Sequence, residues 1–358
     1  MNSSLSILAG AQALRIVRER GLRADDVDVI VGASGGPKWL VLAGLDRYLF
    51  GELRFAERSR PLHLIGSSIG SWRMAGLALK DPLAALARGL EATLDQRYPP
   101  RPSPELVTAT SAGMLDLLLG ESGEAEILHS RWMRLHVLVT ALRGPLASER
   151  RVLLASGLAL AALGNLMSRR GLGWQMRRSI FHNAGNATPL LNLNDFATDH
   201  RPLTAATLKP ALMASGSVPL LMNTVRIPEA GDSLFMDGGF IDYHPDIDFG
   251  EGRGMVLYPH FFPYVIPGWF DKRLPWRRSN YQKFSRVLLI SPSAEFVRAL
   301  PYGRIPDRSD FARLSDDDRL RYWRQVVDAS QRLGDELHEL CVSGRLADHV
   351  QPLPMHGG

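Results

Sequence analysis

Apolar and polar residues along the chain follow two periods, one typical of buried strands and one typical of helices. Apolar runs at residues 27–31, 62–65 and 287–291 have the length of strands, and helix-like stretches ending at Phe50 and Leu79 follow the first two. Strands that alternate with helices and are apolar on both faces are typical of a parallel sheet covered on both sides. We therefore predict an α/β fold, a three-layer α/β/α sandwich with a mostly parallel central sheet.

Helical patterns occupy much of the remaining chain. An amphipathic pattern covers residues 5–20, and another helix is predicted over residues 82–95. Helical patterns also dominate residues 113–179, which we interpret as a largely helical insertion or lid in a core of residues 27–112 and 180–295. Further short strands are expected at residues 190–193, 225–227 and 233–236.

The last part of the chain, residues 296–358, is predicted to be a helical segment of the same domain, so that residues 1–358 form one domain. Ser315, followed three residues later by Asp318, is a helix N-cap signature. The helix that follows carries an apolar stripe, which we interpret as core packing rather than a partner site. The stripe consists of Leu320, Trp323, Val327, Leu333, Leu337 and Leu340.

The composition is that of an ordinary globular protein. Of 358 residues, 45% are hydrophobic and 22% are charged, which is enough chain for a large core. The single cysteine, Cys341, excludes an intrachain disulfide, and its apolar helical setting predicts a buried small hydrophobic residue. Without a Cys/His cluster or an EF-hand loop, we predict neither metal nor cofactor. The first eight residues do not resemble a secretion signal, so we expect a cytoplasmic protein.

Four short motifs carry the candidate chemistry, and three of them come directly after predicted strands. Ser68 lies in Gly-x-Ser-x-Gly at a strand-to-helix turn, an arrangement that holds a serine hydroxyl on a sharp bend. Each motif alone also fits an ordinary tight turn, since Asp-Gly is a common hairpin turn. The four are Gly35-Gly36-Pro37-Lys38, Gly66-Ser67-Ser68-Ile69-Gly70, Ala214-Ser215-Gly216-Ser217-Val218-Pro219 and Asp237-Gly238-Gly239.

These motifs, in this order, resemble those of the patatin-like phospholipase family, and the resemblance runs from about Val27 to Pro245. It implies a serine lipolytic acyl hydrolase, of phospholipase A or lysophospholipase type, that cleaves phospholipid or other fatty-acyl esters. Ser68 would be the nucleophile, and Asp237 would act directly as the general base that a serine hydroxyl needs. The resemblance thus implies a Ser-Asp dyad without histidine.

The glycines have roles in the same interpretation. Negative charge that develops on the carbonyl oxygen of the substrate needs preplaced N–H donors. We expect them from Gly35, Gly36 and Lys38, because Pro37 has no N–H. The other motif glycines support the turns that carry the dyad: Gly66, Gly70, Gly238 and Gly239.

Some residues depart from the family pattern. Trp39 and Ser34 stand where glycine is common, so we infer no substrate preference from the resemblance. Lys38 replaces the usual arginine and could support the loop, attract a phosphate head group, or lie in solvent. A phosphate-binding loop is excluded, because Pro37 occupies the position that requires glycine and Trp39 replaces the required Ser/Thr.

Two other functions remain open at this point. One is an esterase with a Ser-Asp-His triad, in which Asp246 or Asp248 and His260 would join Ser68. The other is a catalytically weak lipid-binding or membrane scaffold protein that keeps the fold without useful turnover.

Residues 131–178 are strongly basic, with nine arginines and one acid, Glu149. Within them, the apolar stretch Val152–Met167 is short for a membrane span, which needs about 20 apolar residues. An apolar body with basic flanks suits a helix at an anionic membrane surface or a lid over a lipid entrance, and a buried helix is the main alternative. The arginines are Arg131, Arg134, Arg143, Arg150, Arg151, Arg169, Arg170, Arg177 and Arg178.

Residues 258–278 combine aromatic and basic residues with four prolines, which predicts an irregular loop. Such a mixture occurs at membrane interfaces and in nucleic-acid grooves, and it could also simply cap the core. A net charge of +5 is modest for a nucleic-acid-binding protein, and no such module is present. We therefore expect no nucleic-acid partner and favour a peripheral contact with an anionic membrane surface through residues 131–178 and 258–278.

Overall fold

The computed structural model describes residues 3–55, 58 and 60–354, so residues 1–2 and 355–358 of the predicted domain lie outside the described residues. Its strands are β1 (Leu5–Ala9), β2 (Val27–Gly32), β3 (Leu62–Ser67), β4 (Met133–Leu142), β5 (Met176–His182), β6 (Thr198–Pro202), β7 (Val225–Arg226), β8 (Leu234–Asp237), β9 (Met255–Pro259), β10 (Val287–Pro292) and β11 (Gln351–Pro352). Its helices are α1 (Ala11–Arg20), α2 (Ala43–Arg47), α3 (Ile69–Leu77), α4 (Pro82–Leu94), α5 (Pro104–Leu119), α6 (Gly123–Leu128), α7 (Arg151–Met167), α8 (Leu208–Gly216), α9 (Gly239–Asp242), α10 (Ala294–Ala299), α11 (Asp310–Arg313), α12 (Asp316–Val342) and α13 (Leu346–His349).

In the described residues, these strands form one sheet flanked by helices. Its main order is β11-β1-β10-β9-β2-β3-β4-β5-β6. The central strands β10, β9, β2, β3 and β4 are parallel to their neighbours, whereas β1 and β5 join them antiparallel. The α/β fold with a mostly parallel sheet is therefore confirmed.

Strand β4 corrects the prediction of a helical insertion at residues 113–179. The segment does contain α6, α7 and the end of α5, but β4 lies between them and is a central strand of the sheet. All residues of β4 except Arg134 are buried, because both of its faces are covered. A strand of this kind has no alternating polar face, so its apolar run cannot be told from a buried helix by periodicity.

Other elements also differ from their predictions. The amphipathic pattern of residues 5–20 divides into β1, which pairs with β10, and α1. Residues 190–193 form a turn rather than a strand, and the strands β5, β6 and β9 were not predicted. The helix expected after β2 is a succession of a 3₁₀ turn, α2 and a π turn.

The C-terminal helix is confirmed. Helix α12 begins after Ser315, whose hydroxyl accepts a hydrogen bond of 3.1 Å from the amide of Asp318. Its apolar stripe packs into the main core, where Trp323, Leu333 and Leu337 are fully buried. Cys341 is only partly buried against this core.

Helix α7 has an apolar face on both sides. Leu154 and Ala161 pack into a small second core with Met236 and Phe240, which lie on either side of Asp237 in sequence. The opposite face exposes Val152, Leu153, Leu160, Leu163, Leu166 and Met167. The prediction of a buried helix is therefore correct for only one face of α7. Within the described residues, no helix is long and apolar enough to cross a membrane.

Candidate active site

Ser68 lies on a sharp turn between β3 and α3. Its backbone has φ 55° and ψ −133°, a strained conformation for a residue with a side chain. The turn is possible because the chain approaches itself at glycines: a Cβ on Gly66 would collide with Ser71, and one on Gly70 would collide with the carbonyl of Gly32. Gly66 and Gly70 therefore pack the turn tightly against its own helix and against β2.

Strand β4 brings Ser68 and Asp237 together although 169 residues separate them. Ser67, at the end of β3, is paired with Leu138, and Asp237, at the end of β8, is paired with the next residue of β4, Val139. The strands β3 and β8 thus meet end to end along one edge of β4. Across this junction the hydroxyl of Ser68 donates a hydrogen bond of 2.8 Å to Oδ2 of Asp237.

Asp237 is held in position through both its side chain and its backbone. Its Oδ1 accepts a hydrogen bond of 2.7 Å from the amide of Gly239, and its backbone carbonyl accepts one of 3.0 Å from the hydroxyl of Thr140. Burial raises the pKa of Asp237, while the Gly239 amide, Ser68 and then the charges of Arg308 and Lys272 act to lower it. A raised pKa makes the carboxylate a stronger base than an aspartate in water.

The third motif supports the predicted nucleophile, Ser68, through Ser215. The hydroxyl of Ser215 accepts a hydrogen bond of 2.9 Å from the amide of Ser68 and donates one of 2.7 Å to the carbonyl of Leu138. Ser217 contacts Asp237 through its backbone, because its carbonyl accepts a hydrogen bond of 3.0 Å from the amide of Asp237. The motif was predicted from the sequence, but the roles of its serines were not. The only signal for them was their position in the ordered set of motifs.

The glycine turn after β2 faces the same site. Gly36 has φ 56°, which favours glycine, and within the described residues no acceptor is found for the amides of Gly35 and Gly36. The amide of Lys38 differs, since it donates to the carbonyl of Gly35 at 3.4 Å. The Lys38 ammonium forms an ion pair with Asp307, so the side chain supports this loop rather than lying free in solvent.

Ser34 and Trp39, the two residues that depart from the family pattern at glycine positions, both lie in this site. Trp39 is almost fully buried and forms part of the wall of a cavity beside Ser68. The hydroxyl of Ser34 donates to that of Ser67 at 3.1 Å and contacts the space beside Gly239, where a Cβ would approach it to 2.7 Å. Ser34 therefore connects the glycine turn, the nucleophile strand and the loop after Asp237.

Two cavities meet at Ser68. The larger one, of about 640 Å³, has mostly apolar walls that include Trp39, Trp72, Val107, Met114, Leu221, Met222 and Phe311. The smaller one, of about 260 Å³, is lined by the dyad, the glycine turn and the charged residues Lys38, Lys272, Asp307 and Arg308. Gly36, Ser68, Val218 and Arg308 border both. Sequence analysis did not identify Asp307, Arg308 or Lys272 as site residues.

The residues of the alternative triad lie elsewhere. His260 is fully buried, and its Nδ1 lies 2.8 Å from the carbonyl of Phe262. Asp246 accepts a hydrogen bond from Ser279, and Asp248 accepts one from the amide of Gly250. In the described part of the chain, no histidine lines either cavity at Ser68, and no group of three or more His, Cys, Asp or Glu residues could hold a metal ion.

Several arginines of residues 131–178 are occupied inside the protein. Arg178 is fully buried and forms ion pairs with Asp195 and Asp242, and Arg169 forms one with Asp271 at 2.7 Å. The two basic stretches contact each other, because the guanidinium of Arg277 donates to three carbonyls at the end of α7. Residues 258–278 therefore close the C-terminal end of this helix.

Comparisons with known proteins agree with the motifs. The family model for patatin-like phospholipase matches residues 39–245, which is more than half of the 358 residues, whereas no curated protein matches the chain. Among solved structures, the chain is similar to VipD from Legionella pneumophila, with 13% identity and a TM-score of 0.34, over 72% of this chain and 53% of that one. It thus spans about half the length of that protein. The matched region contains the Ser68 turn, the Ser215 motif and Asp237, and the chain therefore belongs to the patatin-like phospholipase family.

Proposed function

We propose that the protein cleaves fatty-acyl esters through a Ser68–Asp237 dyad. The hydroxyl proton of Ser68 passes to Asp237 while Oγ attacks the ester carbonyl, which becomes a tetrahedral oxyanion. Collapse of this intermediate expels the alcohol, which takes a proton from Asp237, and leaves an acyl-enzyme. Water, deprotonated by Asp237, then releases the fatty acid and restores Ser68.

The observation that carries this proposal is the hydrogen bond of 2.8 Å between Ser68 Oγ and Asp237 Oδ2. A general base must lie within hydrogen-bond distance of the proton that it removes. The free amides of Gly35 and Gly36 supply the donors for the oxyanion, whereas the Lys38 amide is directed to a carbonyl of its own turn. The apolar cavity of about 640 Å³ supplies room for the acyl chain of a phospholipase A or lysophospholipase substrate.

A fluorophosphonate probe tests the nucleophile directly, because it reacts covalently with an activated serine. We expect the wild-type protein to be labelled and Ser68→Ala to be unlabelled, with ester hydrolysis lower by at least about a thousandfold. Ser343→Ala, at the exposed end of α12, is the matched control and should be labelled normally. A folded wild-type protein that is not labelled would favour the scaffold function, and loss of labelling in His260→Gln with its fold retained would favour a triad.

A second part of the proposal concerns membrane contact through α7. Six exposed apolar side chains occupy its outer face. Trp174, which follows α7 in sequence, is 85% exposed, and Trp276, which precedes the Arg277 that contacts the end of α7, is 71% exposed. The exposed cations Arg143, Arg150, Arg151 and Arg170 form no ion pair within the described residues. Apolar groups beside unpaired cations complement an anionic lipid surface, which offers hydrocarbon and negative charge together.

Sedimentation with vesicles tests this surface. We expect binding to vesicles rich in phosphatidylserine, weaker binding to phosphatidylcholine vesicles, and a loss of binding at high salt. Leu160→Asp with Leu163→Asp should reduce binding by about tenfold or more, because charged groups enter hydrocarbon at a high free-energy cost. Val342→Asp, at an apolar site on α12 that is more exposed than either leucine, is the control. Equal binding of both variants would reject α7 as the contact.

A further inference from the structure

The smaller cavity beside Ser68 holds two cations without a carboxylate partner. Of its three basic residues, Lys38 is neutralised by Asp307, and Asp237 is engaged by Ser68 and Gly239. Within the described residues, the side chains of Lys272 and Arg308 form neither a hydrogen bond nor an ion pair. Charged groups on a cavity wall that lack a partner are available to a ligand of opposite charge.

Aromatic rings fix one of these cations in position. The Nζ of Lys272 lies 4.1 Å from the centroid of the Tyr243 ring and 5.4 Å from that of Trp269, in cation–π geometry. Desolvation and then the charges of Lys38 and Arg308 lower the pKa of Lys272 to about 8, while the charges of Asp237 and Asp307 act to raise it. The cations therefore interact unfavourably with one another, and an anion between them would relieve that repulsion.

Arg308 lies beside the reaction centre. Its Nη2 is 3.6 Å from the position that a Cβ on Gly36 would take, and the residue borders both cavities. An ester bound with its acyl chain in the apolar cavity and its carbonyl at Ser68 directs its alcohol part into the basic one. A volume of about 260 Å³ suits a small polar group and not a second acyl chain of similar length to the first.

We propose that Lys272 and Arg308 form a subsite for the phosphate of an anionic acyl ester, so that the enzyme prefers substrates whose head group carries net negative charge. This inference rests on the proposed hydrolysis at Ser68 and adds a substrate class to it. An ammonium and a guanidinium together can bind a phosphate monoester from two sides, with charge-assisted hydrogen bonds. A choline on the phosphate would cancel the net charge, and an acylglycerol has no phosphate to bind.

Three soluble substrates with the same short acyl chain test the subsite, all below their critical micelle concentrations: lysophosphatidic acid, lysophosphatidylcholine and monoacylglycerol. We expect kcat/KM to be highest for lysophosphatidic acid. Lys272→Met combined with Arg308→Gln should lower that value by about 10- to 100-fold more than it lowers the value for monoacylglycerol, mainly through KM. Arg273→Met with Arg313→Gln removes the same charges from exposed positions outside the cavity and is the matched control.

Two kinetic results would overturn the subsite. In one, the double variant lowers kcat equally for all three esters, which means that the cations act on Asp237 or on the oxyanion instead. In the other, the control variant lowers kcat/KM for lysophosphatidic acid as much as the double variant does, which means that general surface charge sets the preference.

Binding separates this inference from the proposed function. If the wild-type protein hydrolyses none of the three esters, the proposed function fails, and lysophosphatidic acid is then titrated calorimetrically into Ser68→Ala. Binding that is lost on adding Lys272→Met and Arg308→Gln supports the subsite. Equal binding with and without these two substitutions rejects it.

Discussion

Two groups of polar side chains contact strand β4 only a few residues apart, and burial shifts their pKa values in opposite directions. One is the dyad, which is built on Leu138 and Val139. The other is a row of four histidines on neighbouring strands, in which His136 of β4 lies between His63 of β3 and His182 of β5, with His200 of β6 beyond. The first group opens into two cavities, whereas the four histidines line neither of them.

Burial disfavours charge in both groups, but the surroundings differ. Desolvation raises the pKa of Asp237, and N–H donors and nearby cations partly restore its ionised form. Desolvation lowers the pKa of His182 to about 4 and that of His63 to about 4, and neighbouring histidines lower that of His136 further. A shifted pKa is therefore common to the proposed catalytic group and to the row of histidines. The difference lies in the donors that hold a charge and in access for a substrate.

The largest expected effect separates activity from stability at the dyad. Asp237→Asn removes the base but keeps an acceptor for the Gly239 amide, so we expect kcat to fall by roughly 10³-fold. An acid whose folded pKa is raised loses stability as pH rises through the interval between its ordinary pKa and the raised one, because the unfolded chain ionises first. At pH 7 the Asn variant should therefore unfold at the same temperature as wild type or at a higher one.

Kinetics and calorimetry on one preparation decide this prediction. A large fall in melting temperature together with the loss of activity would mean that the carboxylate has a structural role that the geometry does not indicate. In wild type, kcat/KM should decline as pH falls through the raised pKa of Asp237, since only the ionised carboxylate accepts the proton.

An intermediate effect is expected at Ser215, which joins the nucleophile to β4. Ser215→Ala leaves the Ser68 amide and the Leu138 carbonyl without their partner, which should cost about 1–3 kcal/mol in the free energy of unfolding and lower kcat about tenfold. Ser179→Ala on β5 is the control, because this buried hydroxyl has no hydrogen-bond partner in the described residues. Urea unfolding and ester hydrolysis measure both effects, and identical behaviour of the two variants would reject the role of Ser215.

The sequence predicted the proximity of Ser68 and Asp237 better than the strand that brings them together. Gly-x-Ser-x-Gly and Asp-Gly-Gly are local motifs whose glycines leave a visible signal, as at Gly66 and Gly70. Strand β4 leaves none, because a run of apolar residues that is buried on both faces is equally compatible with a helix. The prediction of a helical region from residue 113 to residue 179 failed for this reason.

The charged residues of the site could not be predicted from the sequence for a different reason. Asp307 and Arg308 lie 70 or more residues beyond Asp237, in a loop before α11 without a motif of its own. Their contact with the glycine turn exists only in the folded chain. Similarly, His136 and His182 become neighbours only when β4 and β5 pair, so neither histidine could be assigned to a cluster from its position in the sequence.

The smallest expected effect is on the unfolding free energy, concerns the row of four histidines and appears only at acidic pH. A histidine whose folded pKa is lowered contributes its full stability above its ordinary pKa of about 6.5 and loses it as pH falls toward the folded value. For His182, with a pKa of about 4, the loss between pH 8 and pH 5 is on the order of 2 kcal/mol. His182→Leu should reduce the difference in unfolding free energy between these two pH values by that amount, because both ring nitrogens of His182 lack hydrogen-bond partners in the described residues. His349→Leu, at an exposed position on α13, should leave the difference as it is in wild type. Urea unfolding at the two pH values measures this difference. An unchanged difference in His182→Leu would show that other groups cause the acid sensitivity, and that burial of His182 has no measurable effect comparable to that expected at Asp237.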